Sequence, residues 1–80
     1  MRLPRNVSGQ RLAQALGALG YETTRQTGSH LRLTTAQQGE HHLTIPNHEA
    51  LRVGMLAQIL TDVQAHFGLT PDALLAMLSL

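Results

Sequence analysis

Apolar residues along the chain fall into two kinds of pattern, and the switch between them outlines the fold. Leu12, Leu16 and Leu19 recur at i, i+4 and i+7 behind Ser8, a good N-cap, with Val7 placed to staple onto Leu12. That spacing predicts a helix over Gly9–Leu19, stopped by Gly20 at a left-handed position, with Tyr21 packing back on Leu16. From Tyr21 the pattern becomes Thr-rich and alternating. Glu22–Gln26 reads as one strand, Thr27-Gly28-Ser29 as a turn, and His30-Leu31-Arg32-Leu33-Thr34 as a second strand. Ala36–Glu40 reads as the next turn, and His41-His42-Leu43-Thr44-Ile45 as a third strand closed by Pro46, which cannot donate to a ladder. Asn47–Arg52 is a connection. Leu56, Ile59, Leu60, Val63 and Phe67 then mark one face of a second helix ended by Gly68, and Thr70-Pro71-Asp72 starts a short third helix carrying Leu74, Leu75 and Leu78.

The order α-β-β-β-α-α predicts an α+β domain in which helices cover one face of a three-stranded antiparallel sheet and leave the other wet. Side chains alternate across a strand. With Leu31, Leu33, Leu43 and Ile45 turned to the helices, His30, Arg32, Thr34, His42 and Thr44 face water. With 80 residues and no repeat or linker, the chain reads as one domain over residues 1–80.

Composition narrows the chemistry. Aromatics are confined to one Tyr and one Phe, so the core is aliphatic, and the absence of Cys excludes disulfides and thiolate metal sites. The opening Met1-Arg2-Leu3-Pro4-Arg5 contains no signal-length apolar run and no stretch reaches membrane-span length, so the cytosol is the expected compartment. A net charge of +1 does not by itself point to nucleic acid. All six cations are Arg, whose forks suit phosphate, although base composition also accounts for an Arg-for-Lys bias.

Five His remain to be explained. His30, at the mouth of a hairpin with Arg32 two residues along the same face, occupies a position suited to proton transfer beside a phosphate. His41 and His42 cannot share one metal ion from a regular strand because adjacent residues project oppositely, and no H-E-x-x-H spacing occurs, so no metal or other cofactor is expected. His48 is expected to hydrogen-bond within its own turn. Gly54, at the entry of the second helix, offers either a close approach to a phosphate or tight packing on the sheet. Leu74, Leu75, Leu78 and Leu80 with Met77 are apolar on more than one side, which fits core completion or a surface for another chain. The acids are scattered, and no Ser-His-acid set is legible.

Taken together, Leu3-Pro4-Arg5, the run from Leu16 to Gly20-Tyr21, Arg25-Gln26-Thr27-Gly28-Ser29-His30, His42-Leu43-Thr44-Ile45-Pro46-Asn47-His48, Val53-Gly54-Met55-Leu56 with Ile59-Leu60, and Gly68-Leu69-Thr70 resemble the HicA toxins, also called YcfA-like proteins. The similarity runs from Leu3 to about Leu78. It implies a double-stranded-RNA-binding-domain-like fold, ribosome-independent cleavage of mRNA, and neutralisation by a HicB antitoxin. The family's catalytic histidine, in its Gly-Ser-His motif, falls on His30, with Gly28 and Ser29 as turn and support. Arg25, Arg32 and His42 come from strand parity as substrate contacts, with His42 as the candidate second acid-base group. Relatives are commonly basic with several Lys, whereas this chain has none, which implies modest, salt-sensitive RNA binding. The alternatives are a non-catalytic RNA-binding module of the same fold and a structural domain that pairs through its C-terminal leucines.

Overall fold

The computed structural model of the chain describes residues 3–80; Met1 and Arg2, the start of the opening segment read above, lie outside the described residues. The elements are α1 (Gly9–Leu16), continued by a 3-10 turn (Gly17–Leu19), β1 (Glu22–Gln26), β2 (His30–Thr35), β3 (His41–Pro46), α2 (Val53–Phe67) and α3 (Pro71–Leu78). The strands form an antiparallel sheet in the order β1-β2-β3. This is the α-β-β-β-α order of the double-stranded-RNA-binding-domain-like fold, with one helix added.

Local chemistry accounts for the element ends. The Ser8 hydroxyl accepts from Arg11 N–H at 2.9 Å, and the Thr70 hydroxyl accepts from Ala73 N–H at 3.2 Å, each satisfying an amide that the first helical turn leaves unpaired. The first helix is not α-helical throughout. With Gly17 weakening the α geometry, the chain tightens into a 3-10 turn and leaves through Gly20 at φ 82°, from where Tyr21 N–H reaches back to Leu16 C=O. Gly20 and Gly68 (φ 67°) both take the left-handed conformation that stops a helix.

Strand parity is fixed by the core. Leu31, Leu33, Leu43 and Ile45 are buried against Leu12 and Leu16 of α1, Leu56, Ile59, Leu60 and Val63 of α2, and Leu74 and Leu78 of α3, while His30, Arg32, His42 and Thr44 are exposed. The C-terminal leucines resolve mainly into core completion: Leu75 and Leu80 pack at its margin, and Met77 is 44% exposed. Gly54 behaves otherwise than expected. A Cβ there would meet nothing within 4 Å, so the tight packing on the sheet does not occur.

The close approach occurs at Gly9. A Cβ on Gly9 would collide with the backbone carbonyl of Pro46, and Gly9 N–H donates to His48 C=O at 2.9 Å, so the start of α1 is set directly against the end of β3. Leu51 N–H donates to Val7 C=O at 2.7 Å and closes the same junction. Backbone of helix and strand meets directly there.

At the other end of the sheet lies a polar-aromatic cluster that the sequence did not announce. His41 is more than a strand-edge polar residue: its Nδ1 lies 2.7 Å from the Tyr21 hydroxyl and its Nε2 lies 3.3 Å from Asp62 Oδ1. The His66 ring stacks on His41 with centroids 4.4 Å apart, and its Nε2–H donates to the carbonyls of Gln37 (2.9 Å) and Gly39 (3.0 Å). These bonds tie the β2–β3 turn to the end of α2. Burial, reinforced by the Asp62 carboxylate, pushes the Tyr21 phenol up to about 12.

Two predictions follow from these contacts. Gly9→Ala should lower stability by roughly 2 kcal/mol or more, read by denaturant unfolding, because the added methyl must displace backbone; an unchanged midpoint would show that the junction yields. The raised phenol pKa means that the folded chain holds this proton more tightly than the unfolded chain. Its contribution is therefore complete below pH 10 and lost as pH rises to about 12. With one Tyr and neither Lys nor Cys, no other side chain of ordinary pKa titrates in that window. Stability should fall by roughly 1–2 kcal/mol across it, and Tyr21→Phe should flatten the curve.

Candidate active site

The turn that carries His30 is held from several sides. Thr27 N–H donates to His30 C=O at 2.9 Å, His30 N–H donates to the Thr27 hydroxyl oxygen at 3.1 Å, and Asn47 N–H donates to Ser29 C=O at 2.9 Å. The Thr27 side chain thus does within the turn what a further ladder pair would do. Gly28 has no positive φ, so the turn does not need glycine for its conformation. A Cβ there would meet nothing within 4 Å, and what glycine leaves is open space beside His30.

His30 is exposed, and its Nδ1 lies 2.9 Å from Ser29 Oγ. That bond fixes the ring and occupies one nitrogen. Nε2 has no partner among the described residues, so a single proton donor-acceptor faces solvent on the open side of the sheet.

Arg32 follows on the same face, and the β1–β2 register pairs it directly with Arg25 across a bulge between Thr23 and Arg25. Like charges opposite each other in a sheet repel. Among the described residues no carboxylate lies within ion-pair distance of either guanidinium. Two forks side by side without an acid suit a phosphate, which accepts from both. Thr44, on β3, is Arg32's partner on the other side and completes the polar row.

Farther along the face, Thr24 Oγ1 lies 3.3 Å from Thr34 Oγ1, which lies 2.8 Å from His42 Nδ1; His42 Nε2 is 3.6 Å from Glu40. This threonine relay went unread in the sequence, although parity places each member on the open face. His42 shares the face with His30 but not its neighbourhood. It pairs with Thr34, whereas His30 pairs with Pro46, and four residues of extended strand separate the two by about 13 Å. Both rings cannot serve one phosphorus. The two neighbouring histidines diverge as alternation requires, His42 to the open face and His41 to Tyr21 and Asp62. A cavity of about 750 Å³ runs along the outer edge of β3, lined by His42, Thr44, Met55, Gln58 and Asp62 among others, away from His30.

An open antiparallel sheet backed by helices, with an imidazole at a hairpin rim and two guanidiniums beside it, defines a small α+β domain with one polar working face. The chain belongs to the HicA toxin family: the family model described as HicA toxin of bacterial toxin-antitoxin matches residues 9–65, from the first residue of α1 almost to the end of α2. The protein is thus of the toxin class in a toxin-antitoxin system, and an antitoxin partner follows from that membership. No curated protein and no solved structure matches the chain. No helix among the described residues is long and apolar enough to cross a membrane.

The paired guanidiniums give a prediction with opposite signs in two assays. Arg32→Gln should raise the stability of the free protein slightly, by up to about 0.5 kcal/mol, by relieving repulsion from Arg25. The same change should weaken binding to a short RNA and lower the slope of log K against log salt by about one unit. Unchanged binding and slope would remove Arg32 from the interface.

Proposed function

We propose that the protein is an endoribonuclease that cleaves mRNA by internal transphosphorylation, with His30 moving the proton, and that a HicB-like antitoxin silences it by covering the open face. The observation that carries this reading is the His30 ring itself: exposed, held through Nδ1 by Ser29, with Nε2 without a partner among the described residues.

RNA supplies its own nucleophile. The ribose 2′-hydroxyl gives its proton to His30 Nε2 as the O2′–P bond forms, the P–O5′ bond breaks, and the leaving oxygen takes up a proton. The products are a 2′,3′-cyclic phosphate and a 5′-hydroxyl. The phosphorane gains negative charge during this step, and Arg32 with Arg25 offsets it. Gly28 admits the substrate backbone, Ser29 orients the ring, and His42 contacts the strand farther along the sheet. Because the nucleophile and the acid-base group are both organic, the reaction needs no metal ion. With few cations on the face, affinity for RNA is modest and the tested salt should be low.

The test is cleavage of RNA in EDTA by the parent and by His30→Ala. The parent should yield fragments with 2′,3′-cyclic or 3′-phosphate ends, and His30→Ala should be slower by at least about 10²-fold while still binding RNA. A gel shift with intact RNA for the parent would support the non-catalytic binding module instead. Fragments ending in 3′-hydroxyl would exclude the 2′-hydroxyl route, and an active His30→Ala would exclude this histidine.

A further inference from the structure

Transphosphorylation needs two proton transfers, one from the 2′-hydroxyl and one to the departing 5′ oxygen. His30 offers a single free nitrogen, and His42 is about 13 Å of strand away. We infer that His48 is the second catalytic residue, the general acid that protonates the leaving 5′ oxygen. The inference rests on the endoribonuclease reading above.

The backbone places His48 there. The β2–β3 register pairs His30 with Pro46, and the bond from Asn47 N–H to Ser29 C=O carries the same register one residue further. The next residue, His48, therefore lies just past the start of β2, one step beyond the Ser29–Asn47 contact. The carbonyls of Pro46 and His48 both face Gly9, as alternate carbonyls of an extended chain do, so the parity of β3 persists through this segment. His42, Thr44, Pro46 and His48 form one row on the open side. His48 is exposed, and its side chain has no hydrogen-bond partner among the described residues, contrary to the expectation that it bonds within its own turn.

His30 and His48 are thus diagonal neighbours across the hairpin, with backbones about 7–8 Å apart. Gly28, in the turn just before His30, has open space where a side chain would stand. Two exposed imidazoles at that separation can reach the attacking and the leaving oxygen of one phosphorus. The segment is also held in place: Gly9 N–H donates to His48 C=O, and Gln10 Nε2 donates to Asn47 Oδ1 at 3.3 Å. In the reaction the His48 imidazolium gives its proton to O5′ as the P–O5′ bond breaks, while His30 retains the 2′ proton. Exchange with water then restores both rings.

The deciding experiment uses two versions of a short RNA, one with the natural 5′ oxygen at a chosen linkage and one with sulfur in its place. A thiolate leaves without being protonated, so it no longer needs the acid. His48→Ala should cut the oxygen substrate about 10²-fold more slowly than the parent and the sulfur substrate within about 3-fold of it. His30→Ala should be slow on both. Parental cutting of the oxygen substrate by His48→Ala would overturn the inference while leaving the endoribonuclease reading intact. If His48→Ala does not fold, His48→Gln decides on the same two rates, and equal slowing on both substrates with a parental melting midpoint would also overturn it. A parent that cuts neither substrate would instead remove the endoribonuclease reading itself.

Discussion

The alternation of β2 governs the molecule. Leu31 and Leu33 are buried in an aliphatic core, and their burial forces His30 and Arg32 outward. A slip of one residue would drive a histidine and an arginine into a cavity lined by Leu12, Leu16, Leu56 and Leu60, with no carboxylate to receive them. The core therefore specifies the working face without touching it. Packing and chemistry are written on the two sides of one strand.

The sheet's two ends have different work. At the β2–β3 turn, both nitrogens of His41 are engaged and the ring is stacked on His66, which itself grips two carbonyls. Such a ring is a structural tie. At the opposite end, His30 is held through one nitrogen only. The two histidines differ in whether the second nitrogen is engaged. Residue type does not reveal it.

Most of the fold was legible because its signals are local. Ser8, Gly20, Pro46, Gly68 and Thr70-Pro71 each state an element boundary through the conformations or bonds they permit, and the three strands were bounded within a residue. The 3-10 ending of the first helix and the bulge near Thr24 were not legible, because each depends on how a segment settles against its neighbours. Glycine was legible as a type and not as a place: the tight packing expected at Gly54 belongs to Gly9, whose partner is 37 residues away at Pro46. The same limit applied to the site. Parity put His30, Arg32 and His42 on one face, but only the pairing of His30 with Pro46 and of Thr34 with His42 reveals how far apart the two rings lie. The Tyr21–His41–Asp62 cluster joins three elements, and no spacing along the chain foretells it.

Tyr21 has a practical bearing on how this molecule is observed. With no tryptophan, its phenol is the sole intrinsic fluorophore beyond the weak emission of Phe67, and it sits at the end of the sheet remote from His30. The phenol's emission therefore senses whether the aliphatic interior is assembled and not what occupies the open face. A ligand seated on the open face would leave the phenol's emission unperturbed, and following it calls for resonances of the exposed imidazoles.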